Sequence, residues 1–352
     1  MHRTFRRIAG AGAAAIAVGL LSACATDTAA GGPAASNDPV TFVCNVQDDW
    51  CQVMSDAFTA DTGIPARFVR INTGETLARL QAASAAPEFD VWVGGNADSH
   101  IAAWDEGLLA AYESPVAEAI DPDYRDPDGH WTGLYLGALS FCSNTEVLSD
   151  LGVDVPTTWD DLLDPALKSQ VALAHPSTSG TSYTALWTQV ELNDGDEDAA
   201  LDYFAKLNQN ILQYPKTGGA PGQMAGRGEV AVGIVFAHDC QQYINEGFSA
   251  LEVAFPEEGT GFEIGAISVV ADGPNESGAH AFVDWALSPE AQALGETASA
   301  FQIPSNPETP VSENMVDLGS LTLVPYDAVA AGAMRAELTA RFDNEIATAP
   351  RE

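Results

Sequence analysis

Lysine is almost missing from this chain: Lys168, Lys206 and Lys216 are the three copies in 352 residues. Lys and Arg together number 14 against 50 Asp and Glu, for a formal net charge of −36. Such a field repels phosphate backbones and anionic lipid surfaces, which removes nucleic acid from the expected partners. A membrane-spanning helix needs roughly 20 apolar residues, and the uncharged stretch near the start, Ile8 to Leu21, has 14. No His stands at ligand spacing to the thiols, and the acids form no calcium-loop pattern, so neither a metal nor a cofactor is expected. There is no Gly-x-Ser-x-Gly nucleophile elbow, no adjacent tyrosine pair, no short-period repeat and no heptad register.

What is present begins with a leader. Arg3, Arg6 and Arg7 precede the uncharged stretch, and small residues follow it, so 1–23 read as a secretory signal peptide. The sequence Leu21-Ser22-Ala23-Cys24 resembles a bacterial lipobox. That resemblance implies acylation of Cys24 and a lipid anchor on the outer face of the bacterial cell membrane. The anchor is the one membrane attachment this reading contains. Residues 24–39, all small or polar after the cysteine, read as a flexible tether. Loss of the three leader arginines takes the net charge from −36 to −39. Four cysteines then remain, an even number outside the cytoplasm, which suggests disulfides. Cys44 and Cys51 close a short loop and are the favoured pair. Cys142 and Cys240 either pair or stay buried and free.

From residue 40 onward, strands and helices alternate. Strands are expected at 40–44, 66–71 and 90–93, helices at 50–62 and 77–86, and a turn at Asn72-Thr73-Gly74-Glu75. This alternation argues for a mostly parallel sheet covered by helices, with ligands at the loops beyond the strands' carboxyl ends. A second set follows: strands at 132–142, 171–174, 230–236 and 264–270, and helices at 159–163, 183–192, 198–207, 279–287 and 289–297. His238 and Asp239 are expected at the end of the 230–236 strand.

Seven stretches in order resemble a known family. They are Cys44-Asn-Val-Gln-Asp-Asp-Trp-Cys51, Asn72-Thr-Gly-Glu-Thr-Leu-Ala-Arg79, Asp90-Val-Trp-Val-Gly-Gly95, His175-Pro-Ser-Thr-Ser-Gly-Thr-Ser-Tyr183, Gly233-Ile-Val-Phe-Ala-His-Asp239, Glu258-Gly-Thr-Gly-Phe-Glu-Ile-Gly265 and Phe282-Val-Asp-Trp-Ala-Leu-Ser-Pro-Glu-Ala-Gln292. The chain is similar to extracellular solute-binding proteins of ABC importers, in the iron(III)-type branch, and within it to hexose-phosphate and phosphonate binders. The resemblance implies a two-lobed α/β fold of type II, each lobe a mostly parallel sheet with flanking helices. Residues 40–138 plus 265–352 would form lobe 1 and 139–264 lobe 2, with two crossing strands as the hinge. It also implies a monomer that is not an enzyme, closes on a small phosphorylated solute and delivers it to a membrane permease.

The site expectations follow. Ser177, Ser179, Gly180 and Thr181 lie between a strand and a helix, where free backbone N–H groups and hydroxyls suit an anion. Thr73, Gly74 and Glu75 form a similar turn, and Thr217 and Gly218 a third. Asn45, Gln47 and Gly95 sit on neighbouring loops. Arg70, Arg79, Lys216 and Arg227 either lend local positive potential or serve as surface counter-charges. In the hexose-phosphate binders, a His-Asp pair and a Glu at positions matching His238, Asp239 and Glu263 hold sugar hydroxyls; Glu258 competes with Glu263 for that match. Two rivals remain. Iron(III) or a phosphonate is the alternative cargo, although iron sites of this superfamily resemble a tyrosine pair absent here. A secreted hydrolase using Ser179, His238 and Asp239 is the rival of another class. It requires His238 and Asp239 to align, which adjacent strand residues do not.

Overall fold

The structure is a computed structural model that describes residues 38–348. Cys24 and the leader lie outside those residues. β1 (Val40–Cys44) leads to α1 (Asp48–Thr62), β2 (Ala66–Arg70), α2 (Thr73–Ala82), β3 (Val91–Asn96), α3 (Ala97–Asp105) and β4 (Leu109–Ala110). β5 (Thr132–Asn144) then crosses to α4 (Thr145–Leu151), β6 (Val171–Leu173), α5 (Gly180–Leu192), α6 (Glu197–Leu207), α7 (Ala220–Gly226), β7 (Val232–Phe236), α8 (Ala237–Asn245) and β8 (Leu251–Ala254). The chain returns through β9 (Phe262–Val270) to α9 (Glu276–Ala286), α10 (Pro289–Thr297), β10 (Ile303–Pro304) and α11 (Ala328–Phe342).

The strand order β2-β1-β3-β9-β5-β7-β6 runs through both lobes. β1 pairs in parallel with β2 and β3, and β6 with β7, whereas β5 and β9 meet their neighbours antiparallel. Each sheet is therefore mixed, because the crossing strands enter against the local direction. β3 and β7 are buried along their whole length. Covered on both faces, they carry continuous apolar runs rather than alternation. The edge strand β2 is only partly covered.

Two cores define the lobes. Phe42, Phe58 and Phe282 anchor the first, with Phe282 ring centroids 4.7 and 4.9 Å from the other two. Each such ring removed from water contributes about 2–3 kcal/mol. The second gathers Phe141, Trp159, Tyr183, Leu186 and Phe204. The expected lobe boundaries, 138/139 and 264/265, fall inside the crossing strands. α11 joins both sides: Leu338 and Phe342 enter the second core, while Arg335 pairs with buried Asp98 of α3 at 2.9 Å.

Both cysteine pairs form disulfides, Cys44–Cys51 and Cys142–Cys240. The first closes the loop between β1 and α1; the second ties β5 to α8.

Candidate functional site

The carboxyl ends of β1, β3 and β7 open on one cavity of about 140 Å³ between the lobes. One water needs roughly 10–15 Å³ by the same measure, so the space suits a small solute of the bulk of about ten waters. Six helices begin at its wall. Their N-cap residues, Gln47 (α1), Asn72 (α2), Asn96 (α3), Ser179 (α5), Gly219 (α7) and Phe236 (α8), all line the cavity. None of the six provides a side-chain cap. The other five described α-helices are all capped by their N-cap side chains: Asn144, Asp196, Asn275, Ser288 and Asp327. A helix start leaves four N–H groups without intrahelical partners. Some of these donors have other partners, as the Gly74 N–H has in the Thr178 carbonyl and the Ala220 N–H in the Thr217 carbonyl, and side-chain caps block none of them.

The wall has two poles. At one stand Ser179, Gly180, Thr181, Thr217, Gly218 and Thr73. The first turn of α5 carries no acid. Ser179 is 3 % exposed and its Oγ has no hydrogen-bond partner. Gly95 brings the β3 end close: its φ is +83°, and a Cβ there would lie 2.8 Å from Asn45 Oδ1 and 3.0 Å from Thr73 Cγ2. Only glycine takes that conformation readily and leaves that space.

At the other pole stand His238, Asp239, Glu263, Gln47, Tyr135, Tyr243 and Gln302. Gln47 Nε2 donates to Asp239 Oδ1 at 3.0 Å, and Gln302 Nε2 to Gln47 Oε1 at 2.9 Å. The Oε1 of Gln302 is buried without a partner. Burial raises the Glu263 carboxyl well above its ordinary range, and Asp239 and Asp98 add to the rise. Burial lowers His238, against the pull of Asp239. This pole therefore offers acceptors together with a carboxyl and an imidazole that burial shifts toward their neutral forms.

Twelve expected residues line the cavity: Asn45, Gln47, Thr73, Gly95, Ser179, Gly180, Thr181, Thr217, Gly218, His238, Asp239 and Glu263. Gly74, Glu75 and Ser177, also expected at the site, are not part of that lining. Gly74 N–H donates to the Thr178 carbonyl at 3.1 Å, Glu75 meets Lys216 at 3.4 Å, and Ser177 Oγ donates to Asp343 at 3.0 Å. All three lie outside the cavity wall. Residues 73–75 form the first turn of α2 rather than a free turn, since Asn72 takes the N-cap conformation and the helix starts at once. Glu258 is remote; its Oε1 accepts from the Trp159 N–H at 3.0 Å.

Of the four flanking bases, Arg70 alone lines the cavity. Its Nε donates to the Val46 carbonyl at 3.1 Å and its Nη1 to Asn72 Oδ1 at 2.8 Å. Arg79, Lys216 and Arg227 pair instead with Glu88, Glu75 and Glu229. Asn72, Asn96, Tyr135, Tyr243 and Gln302 went unanticipated. An Asn closing a strand just before a helix was a usable signal for the first two.

His238 and Asp239 open α8 instead of ending a strand. The strand geometry invoked against a catalytic set therefore does not apply. Their Nε2 and Oδ1 are 3.9 Å apart, too long for an orienting bond, and Ser179 Oγ bonds to neither.

The profile of bacterial extracellular solute-binding proteins matches residues 54–319, and the chain belongs to that family. An uncharacterized protein of Haemophilus influenzae is 36% identical over 315 residues, 88% of this chain and 90% of that one. The periplasmic binding protein AfuA of Actinobacillus pleuropneumoniae, solved with exogenous fructose-6-phosphate bound, superposes with a TM-score of 0.86 at 37% identity. That match covers 89% of this chain and all of the AfuA chain. A Salmonella typhimurium protein named for periplasmic 2-aminoethylphosphonate binding is 31% identical over 185 residues, 53% of this chain and 52% of its own length. The chain is thus the solute-binding component of an ABC importer, a periplasmic-type binding protein rather than an enzyme. No described helix is long and apolar enough to cross a membrane.

Proposed function

We propose that the cleft captures a phosphorylated polyol, a sugar phosphate before others. The observation that carries this reading is the division of the helices: those beginning at the cavity lack side-chain caps, and those elsewhere have them. An anion at the acid-free start of α5 would accept from its N–H groups and from Ser179 Oγ, with the helix dipole in its favour. Hydroxyls at the opposite pole would meet Asp239, Glu263, His238 and Gln302. The fructose-6-phosphate in AfuA supports the same class of solute.

A phosphonate is the second reading, supported by the Salmonella relative. It would use the α5 pole and place an ammonium near Asp239. Calorimetry with fructose 6-phosphate, glucose 6-phosphate, 2-aminoethylphosphonate, inorganic phosphate and ferric ion separates these cases. Sugar phosphates are expected to bind tightest. Tighter binding of the aminophosphonate or of iron would overturn the proposal.

The same reading holds Cys24 to be acylated, with 24–39 tethering the lobes to the outer face of the membrane beside the permease. Intact mass of the protein extracted from its own membranes should exceed the mass of the chain from Cys24 by the acyl groups. A mass with no addition would refute the anchor.

A further inference from the structure

We infer that Gly74 is the residue that lets the two lobes close, a role in the capture cycle separate from touching solute. Gly74 stands in the first turn of α2 on one side of the cleft, outside the cavity. A Cβ built on it would fall inside the van der Waals shell of the Ser177 carbonyl oxygen and 3.0 Å from the Thr178 Cα, both on the other side. The atoms met are backbone, so no rotamer change relieves the overlap. The opposing loop is also braced. Ser177 Oγ donates to both Asp343 oxygens at 3.0 and 3.1 Å, and His175 Nε2 lies 3.2 Å from Asp343 Oδ1. Thr178 Oγ1 donates to the carbonyls of His175 and Lys216 at 3.2 and 3.0 Å.

The same glycine also makes the contact it permits. Its N–H donates to the Thr178 carbonyl at 3.1 Å, a backbone bond from one lobe to the other. The local fold gives no reason for glycine here. Its φ is not positive, and glycine weakens a helix by roughly 0.5–1 kcal/mol against alanine. Gly180 mirrors it from the other lobe, where a Cβ would overlap Asn96 Oδ1. Gly180 lines the cavity, so Gly74 is the cleaner position to test.

The test does not depend on which solute binds. Glu75 and Lys216 meet across the same seam at 3.4 Å. Glu75→Cys with Lys216→Cys should be linked by a short bismaleimide whenever the lobes close, and peptide mass mapping reads the 75–216 link. Gly74→Ala in that background should cut the initial linking rate at least tenfold, and Gly74→Val further. The melting temperature of each solute-free variant should stay within a few degrees of its parent, showing intact lobes. Equal rates with Gly, Ala and Val at 74 would overturn the inference. So would failure of the parent pair to link, because the seam would then not form, and so would unfolding of both variants, because glycine would then serve the fold.

Discussion

Gln47 spans the cleft to Asp239, its Nε2 donating to Oδ1 at 3.0 Å. The amide and the carboxylate come from the first-turn regions of α1 and α8, which belong to different lobes. A solute hydroxyl bound here, as proposed, would share or replace that bond, and the pair would then link recognition to closure.

Replacing Asp239 with Ala removes the acceptor and leaves Gln47 facing the cavity. Hydrogen bonds to charged groups are worth about 1.5–3 kcal/mol, so sugar-phosphate affinity should fall roughly 10- to 150-fold. Inorganic phosphate, which the proposal places at the α5 pole, should bind as before. Paired calorimetric titrations of both ligands check this.

Ser179→Ala should weaken binding of both ligands. It deletes a buried hydroxyl that has no partner in the protein. Both inorganic phosphate and sugar phosphates should lose affinity by about 1 kcal/mol, roughly fivefold, with solute-free stability little changed. A loss confined to sugar phosphates would place the anion elsewhere.

Stability should carry two pH signatures of opposite sign. Burial lowers His100 from 6.5 to about 3, with its ring bonded to Ser268 Oγ and the Gly94 carbonyl. The unfolded chain takes up that proton first, so the stability this neutral ring confers is full above pH 6.5 and is lost as pH falls toward 3. Glu263, raised from 4.5, confers stability that is full below 4.5 and is lost as pH rises through its folded value. Urea titrations should therefore show a shallower acid-side slope for His100→Gln. Glu263→Gln should gain stability relative to the parent at about pH 8 compared with about pH 4.

The Cys142–Cys240 bridge spans 98 residues of sequence, and Cys240 directly follows Asp239. Loop entropy assigns about 4–5 kcal/mol to a closure of that length. Replacing both cysteines with Ser should lower the denaturation midpoint and also weaken sugar-phosphate binding, because the turn that presents Asp239 loses its tie to β5. Calorimetric melting and titration of the double variant measure the two effects.

The alternation from β1 to β3 and the α5 entry were legible because each strand is a compact apolar run followed by turn chemistry. Gln302 was not, since nothing near residue 302 marks a segment that returns to the cleft. Tyr135 was hidden in the same way, inside a crossing strand buried throughout. α11 was missed because its sequence, Ala-Val-Ala-Ala-Gly-Ala-Met-Arg at the start, has no strong apolar stripe. Its place is set by tertiary partners, Asp98 and the second core. The helical starts at 73 and 237 were misread as a turn and a strand end. A first turn needs little helix propensity when its N–H groups have partners outside the helix.

The uncapped starts have a thermodynamic consequence. Losing an N-cap side chain costs a helix about 1 kcal/mol, and six helices meet this condition at one cavity wall. An anion and its hydroxyls placed among them would act as a shared capping residue, contributed by the cargo instead of the chain. Hydrogen exchange in the first turns of these helices should then slow on loading, well before any change at α9 or α10, whose caps are covalently their own.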